Sequence, residues 1–111
     1  MLQNKNITVA IGQATWRVSI EDSHSSKLCV DGDVSRGCTW CGKHEICLSN
    51  ELTRLTFRRV CTHELTHAIL FSTQACLLET YTEEQLCDFM AIYGDEVVNL
   101  ADKLEEWAFR E

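Results

Sequence analysis

At 111 residues, 45 % of them hydrophobic, the chain is long enough for one small core and too short for two domains. A net charge of -7 and the lack of any basic stripe exclude a nucleic-acid surface, because phosphate contacts need clustered Lys and Arg. Zero prolines, five glycines and no visible repeat exclude linker-like, collagen-like and repeat architectures.

In chain order, the opening MLQNKNITVAIGQATW lacks a basic head followed by a long apolar run, and no later stretch has the ~18 apolar residues a membrane span needs. A soluble cytoplasmic protein with no membrane partner is expected. Ile7, Val9 and Ile11 share one parity, and Trp16, Val18 and Ile20 another, which is the period of half-buried strands. With Gly12 and Gln13 between them, they predict a hairpin or two short strands with a tight connection. EDSHSSK is a polar loop. Residues 28–49, with Gly32, Gly37 and Gly42, predict irregular turns leading into a strand, HEICLS.

From Asn50 to about Thr73 the pattern turns helical, with Ser49 or Asn50 as the cap and Phe57, Val60, Cys61, Leu65, Ala68, Ile69 and Phe71 at helical spacing. So wide an apolar arc predicts burial on more than one side, leaving Arg58, Arg59, Thr62 and Thr66 for the polar edge. After the connection TQACLLETY, Thr82 and Gln85 form a capping-box pattern that opens a second helix. Its stripe is Leu86, Met90, Tyr93, Val97, Leu100, Leu104 and Ala108, and Gly94 is expected to kink or divide it. The acidic end, DEVVNLADKLEEWAFRE, reads as a helix with one solvated face and with Trp107 and Phe109 folded back. The alternative is a partner-docking or dimerisation helix, so a monomer or weak dimer is expected.

The first helix contains CTHELTHAILF. Residues four apart on a helix point the same way, so His63 and His67 can place two imidazoles on one metal ion. Glu64 is rotated out of that coordination role yet lies near enough to take a proton from a metal-bound water. The bland alternative is a plain helix whose histidines are satisfied by carboxylates or carbonyls. A catalytic zinc needs a third protein ligand and an open position.

HELTH followed about twenty residues later by EQLCDFMA resembles the gluzincin group of zinc metallopeptidases. There a second helix carries a glutamate ligand within a pattern of Glu, two variable residues, a small residue, then Asp or Asn. The resemblance covers roughly residues 44–94. It implies Glu84 as the third ligand, Cys87 and Ala91 as small residues that let the second helix approach the first, and Asp88 as an acid accepting from the far nitrogen of a ligating histidine. Amphipathicity alone favours Glu83, which lies nearer the centre of the Leu86, Met90, Tyr93 stripe. In this family the strand before the HExxH helix typically edges the cleft and pairs with an extended substrate. The wording HELTHAIL is also similar to compact zincins of phages and mobile elements and to ImmA/IrrE-like peptidases. Tyr93, Tyr81 and His44 are candidate donors to a developing oxyanion.

Seven cysteines, an odd number, fit reduced thiols better than a disulfide framework. Cys38 and Cys41 have knuckle spacing, so Cys29, Cys38, Cys41 and Cys47 are candidates for a second, structural zinc, against buried or free thiols. Cys61, Cys76 and Cys87 read as small core residues. The sequence therefore predicts an α+β domain of minimal zincin-like fold over residues 1–111: a small, mostly antiparallel sheet packed on an HExxH helix and a Glu-bearing helix. The expected activity is zinc-dependent hydrolysis of a peptide or protein substrate by His63, His67 and Glu84 around Zn2+, with Glu64 as general base. The alternative is an inactive or latent zinc-containing interaction module of anti-repressor or toxin-system type.

Overall fold

The computed structural model describes residues 1–73 and 81–110. Six strands, β1 (Lys5–Ile11), β2 (Ala14–Glu21), β3 (Cys29–Val30), β4 (Asp33–Val34), β5 (Gly37–Trp40) and β6 (Glu45–Ser49), precede two helices, α1 (Arg54–Ser72) and α2 (Glu83–Phe109). β1, β2, β6 and β5, in that order, form a four-stranded sheet, and β3 and β4 a small separate ribbon. The β1/β2 and β5/β6 pairings are antiparallel and the β2/β6 pairing parallel. The fold is therefore α+β with a mostly antiparallel sheet, as expected.

β1 and β2 join through the two-residue turn Gly12–Gln13, with Ile11 opposite Ala14. Gly12 has φ 63, the value a two-residue hairpin turn needs at its first central position. Its N–H donates to the Glu96 carboxylate of α2 at 2.8 Å, which ties the hairpin tip to the helix layer. The register puts Val9 opposite Trp16 and Ile7 opposite Val18, so the two predicted parities share one face. On that face Val9, Ile11, Trp16, Val18 and Ile20 are buried.

All of β6 is buried. Ile46 and Leu48 lie beside Val18 and Ile20 in the parallel register and join the core formed with Phe57, Cys61 and Leu65 of α1. Flanked by β2 and β5, β6 has no free edge, so the expectation that the strand before the HExxH helix borders the cleft is corrected. The edge strands of this sheet are β1 and β5, and β5 is the one beside the histidines of α1.

The predicted cap of α1 is also displaced. Asn50 lies in the turn after β6, donating its N–H to Glu21 O at 2.9 Å, and its side chain donates to Asn4 at 3.0 Å. Leu52 is buried behind it, and the cap falls to Thr53, which forms a reciprocal capping box with Thr56. Phe71 is exposed rather than core. At α2 the Thr82–Gln85 capping box is present as predicted. Gly94 does not divide the helix; it is buried within a continuous α2. One glycine costs about 1 kcal/mol of helix propensity, too little to break a long helix packed against a neighbour.

α2 is anchored through Gly94, Val97, Ala101, Leu104 and Ala108, while Leu86, Met90 and Ile92 of its first half are exposed. Arg54 pairs with Glu105 and Arg58 with Asp102 across the antiparallel α1 and α2. Trp107 and Phe109 fold back as expected. Phe109 packs edge-on against Phe57 with centroids 5.5 Å apart, and the Lys5 ammonium lies over the Trp107 ring and donates to its carbonyl.

Candidate metal centre and its cavity

The wide burial of α1 turns Glu64 inward, 7 % exposed, and leaves His63 and His67 at the surface one turn apart. Their Nε2 atoms approach to 3.2 Å. Two nitrogens on one tetrahedral zinc, each about 2.05 Å from the ion, lie about 3.3 Å apart. The donor pair therefore fits zinc in both chemistry and spacing.

Glu64 is held by the edge strand. Thr39 Oγ1 donates to Glu64 Oε1 at 2.7 Å, and Glu64 Oε2 lies 4.0 Å from His63 Nε2. The close approach of β5 to α1 depends on Gly37: a Cβ there would lie 2.5 Å from Val60 Cγ1 and 3.2 Å from Glu64 Cγ. Only a residue without a side chain lets Thr39 reach Glu64. Ser35 fastens the start of this strand, its hydroxyl donating to Gly37 O at 2.6 Å.

Strand and helix enclose a cavity of about 320 Å³, lined on one side by His63, Glu64 and His67 and on the other by Cys38, Thr39 and Cys41. The Cys38 thiol is pushed up from its ordinary 9.0 first by burial, then by the charges of Glu64 and Cys41. Cys47 and Cys61 are raised further, to about 11 and about 12, chiefly by burial, and are inert core thiols.

The residues expected from the second helix are not brought to the histidines. Glu83, Glu84, Cys87, Asp88 and Ala91 are all exposed. The two interhelical ion pairs run the helices antiparallel, and continuing residue for residue from Arg58–Asp102 places His67 near the level of Tyr93 and Glu84 beyond Ser72, the last residue of α1. At 1.5 Å per residue, Glu84 is roughly 13 Å along the axis from the level of His67. Cys87 and Ala91 accordingly stay at the surface, and the small residues that α2 buries are Gly94, Ala101 and Ala108 instead. Asp88 lines an apolar groove with Thr66, Leu70 and Phe89. Among the described residues no three of His, Cys, Asp and Glu stand together as a complete ligand set, the cysteine quartet included. Cys29 is exposed and Cys47 buried, and Cys76 lies outside the described residues.

Of the oxyanion candidates, His44 stacks on Trp16 with centroids 4.8 Å apart, and Tyr93 packs against Phe89 along the groove that Tyr81 also lines. None of the three lines the histidine cavity. Sequence reasoning missed Thr39 and Gly37. The available signal was their shared parity in GCT, masked by the surrounding glycines and cysteines.

No protein-family model, curated protein or solved structure matches the chain. Among the described residues, no helix is long and apolar enough to cross a membrane.

Proposed function

We propose that this protein is a zinc-dependent hydrolase of peptide bonds in which His63 and His67 hold the metal and Glu64 is the general base. The observation that carries the reading is the 3.2 Å approach of the two Nε2 atoms beside a buried carboxylate held by Thr39. A bound zinc supplies Lewis acidity, lowering the pKa of its water and polarising the scissile carbonyl.

The chain supplies the rest. Thr39 fixes Oε1 of Glu64, which leaves Oε2, on the His63 side, to accept the proton of the attacking water. Burial and that hydrogen bond hold the carboxylate in one orientation, so little reorganisation accompanies proton transfer. β5 lies at the sheet edge beside the cavity, where an extended peptide or protein substrate can add as a further strand. The acidic chain offers no comparable surface to nucleic acid.

The displacement of Glu84 from the histidines favours a second reading, a metal-containing interaction module of anti-repressor or toxin-system type with no turnover. The test combines elemental analysis with cleavage of a quenched fluorescent peptide library. The hydrolase reading expects one zinc per chain, lost in His63→Ala, and cleavage abolished by a chelator and by Glu64→Gln. Zinc bound without cleavage supports the interaction module. Zinc content indifferent to His63→Ala overturns both readings.

A further inference from the structure

We propose that Cys41 supplies the third protein ligand of this centre, so that the ion sits between two imidazoles and a thiolate; the assignment rests on the metal-hydrolase reading above. Cys41 lines the same cavity of about 320 Å³ as His63 and His67. Glu84, the ligand that the helical pattern implies, does not, and it lies past the end of α1 in the register that the Arg54–Glu105 and Arg58–Asp102 pairs mark.

Strand geometry supports the choice. Gly37 and Thr39 both face α1, the first against Val60 and the second donating to Glu64. Successive side chains alternate along a strand, so Gly37 and Thr39 share the face towards α1, and the chain then turns after Trp40 with Cys41 lining the same cavity as Thr39. Cys41 stands one step past the end of β5, at the start of the 3-10 turn Cys41–Lys43. Cys38 belongs to the alternate row, in register with Cys47.

The chemistry also fits. Thiolate and imidazole are both zinc ligands, and sets of three protein ligands that mix Cys and His leave a fourth position for water. On binding, the Cys41 thiol releases its proton to solvent and its sulfur donates the electron pair to the ion. Among the described residues His63, His67 and Cys41 do not already stand as a complete ligand set, so binding requires the Cys41 side chain to move towards histidines whose cavity it lines, whereas Glu84 requires movement of a helix. Glu64, clasped by Thr39, remains outside the coordination sphere as the base.

The probe is cobalt(II) chloride added to the metal-free 111-residue chain. A thiolate on cobalt(II) gives an intense sulfur-to-metal charge-transfer band in the near ultraviolet, which imidazole and carboxylate ligands do not. The expected result is that band in the wild type, abolished in Cys41→Ser and in His67→Ala, and retained in Cys38→Ser and Glu84→Ala. Histidine-dependent cobalt binding without the band, or with a band that survives Cys41→Ser, overturns the thiolate assignment and leaves the hydrolase reading standing. Cobalt uptake indifferent to both His63→Ala and His67→Ala overturns both. X-ray absorption on the zinc-loaded wild type needs no variant: one sulfur at about 2.3 Å supports the assignment, and a shell of nitrogen and oxygen alone, or of four sulfurs, refutes it.

Discussion

Gly37→Ala tests whether the fit of β5 against α1 rests on a missing side chain. The new Cβ would lie 2.5 Å from Val60 Cγ1, 3.2 Å from Glu64 Cγ and 3.3 Å from Leu48 Cδ2. Ordinary carbon contacts are about 3.5–4.0 Å, so the first overlap is about 1 Å or more and cannot be relieved by small shifts. Val60 is β-branched and stiff within a helix, so it cannot simply turn away. Overpacking of this kind costs about 1–3 kcal/mol. Gly37 has no positive φ, so alanine suffers no backbone strain there and recovers about 0.5–1 kcal/mol of strand propensity. The net destabilisation is therefore about 0–2.5 kcal/mol, read as a lower urea midpoint at unchanged m-value. Val60→Ala removes the clashing methyl, and in that background Gly37→Ala should be close to neutral, a coupling of about 1–2 kcal/mol in the double-mutant cycle. If the two substitutions add within about 0.5 kcal/mol, the close approach of β5 to α1 is not a feature of the native protein.

Thr39→Val should lower stability by about 1–3 kcal/mol in urea, because it leaves the buried Glu64 carboxylate without its donor, and Thr39→Ser should restore most of the loss. Thr82→Ala, at the cap of α2, should cost about 1 kcal/mol and reduce helical circular dichroism. Burial raises the Cys47 and Cys61 thiols from 9.0 to about 11 and about 12. Above pH 9 the unfolded chain loses these protons while the folded chain keeps them. Stability is therefore fully present below pH 9.0 and falls as pH rises towards about 12, and Cys61→Ala should flatten that fall in urea titrations. Maleimide labelling followed by mass spectrometry at pH 8 should mark the exposed Cys29 and Cys87 before Cys47 or Cys61; the reverse order would contradict the burial.

What the sequence made legible was local. The parities of Ile7 to Ile11 and Trp16 to Ile20 survive because each strand presents one face to the helices, and the Thr82–Gln85 box because a cap involves neighbours only. The HELTH pair is legible for the same reason: four residues of helix bring two nitrogens together whatever the rest does. The strand order was hidden, because the parallel pairing of β2 with β6 joins segments separated by the whole of residues 22–44. Asn50 looked like a cap, but it stands in the turn after β6, bonded back to Glu21 and Asn4, and the cap falls to Thr53. β5 is four residues among glycines and cysteines, too short to show a period, yet it carries the group that orients Glu64.

Where the third ligand comes from is a question of register. A sequence pattern places Glu84 one turn into a second helix but does not say where that helix stands along the first. The burial of Val97, Ala101, Leu104 and Ala108 in the core decides that, and the surface pairs Arg54–Glu105 and Arg58–Asp102 mark the resulting register. Sliding Glu84 to the level of His67 would move α2 by roughly 13 Å, more than two turns. It would break both ion pairs and unseat Val97 and Leu104. Re-exposing those two side chains alone costs about 3–6 kcal/mol, against a total stability of about 5–15 kcal/mol for a domain of this kind. Cys41 lines the cavity of His63 and His67 already, so recruiting it leaves both helices and their ion pairs where they are. The cost of sliding α2 argues against Glu84 and in favour of the proposed ligand at the end of β5, which is already beside His63 and His67.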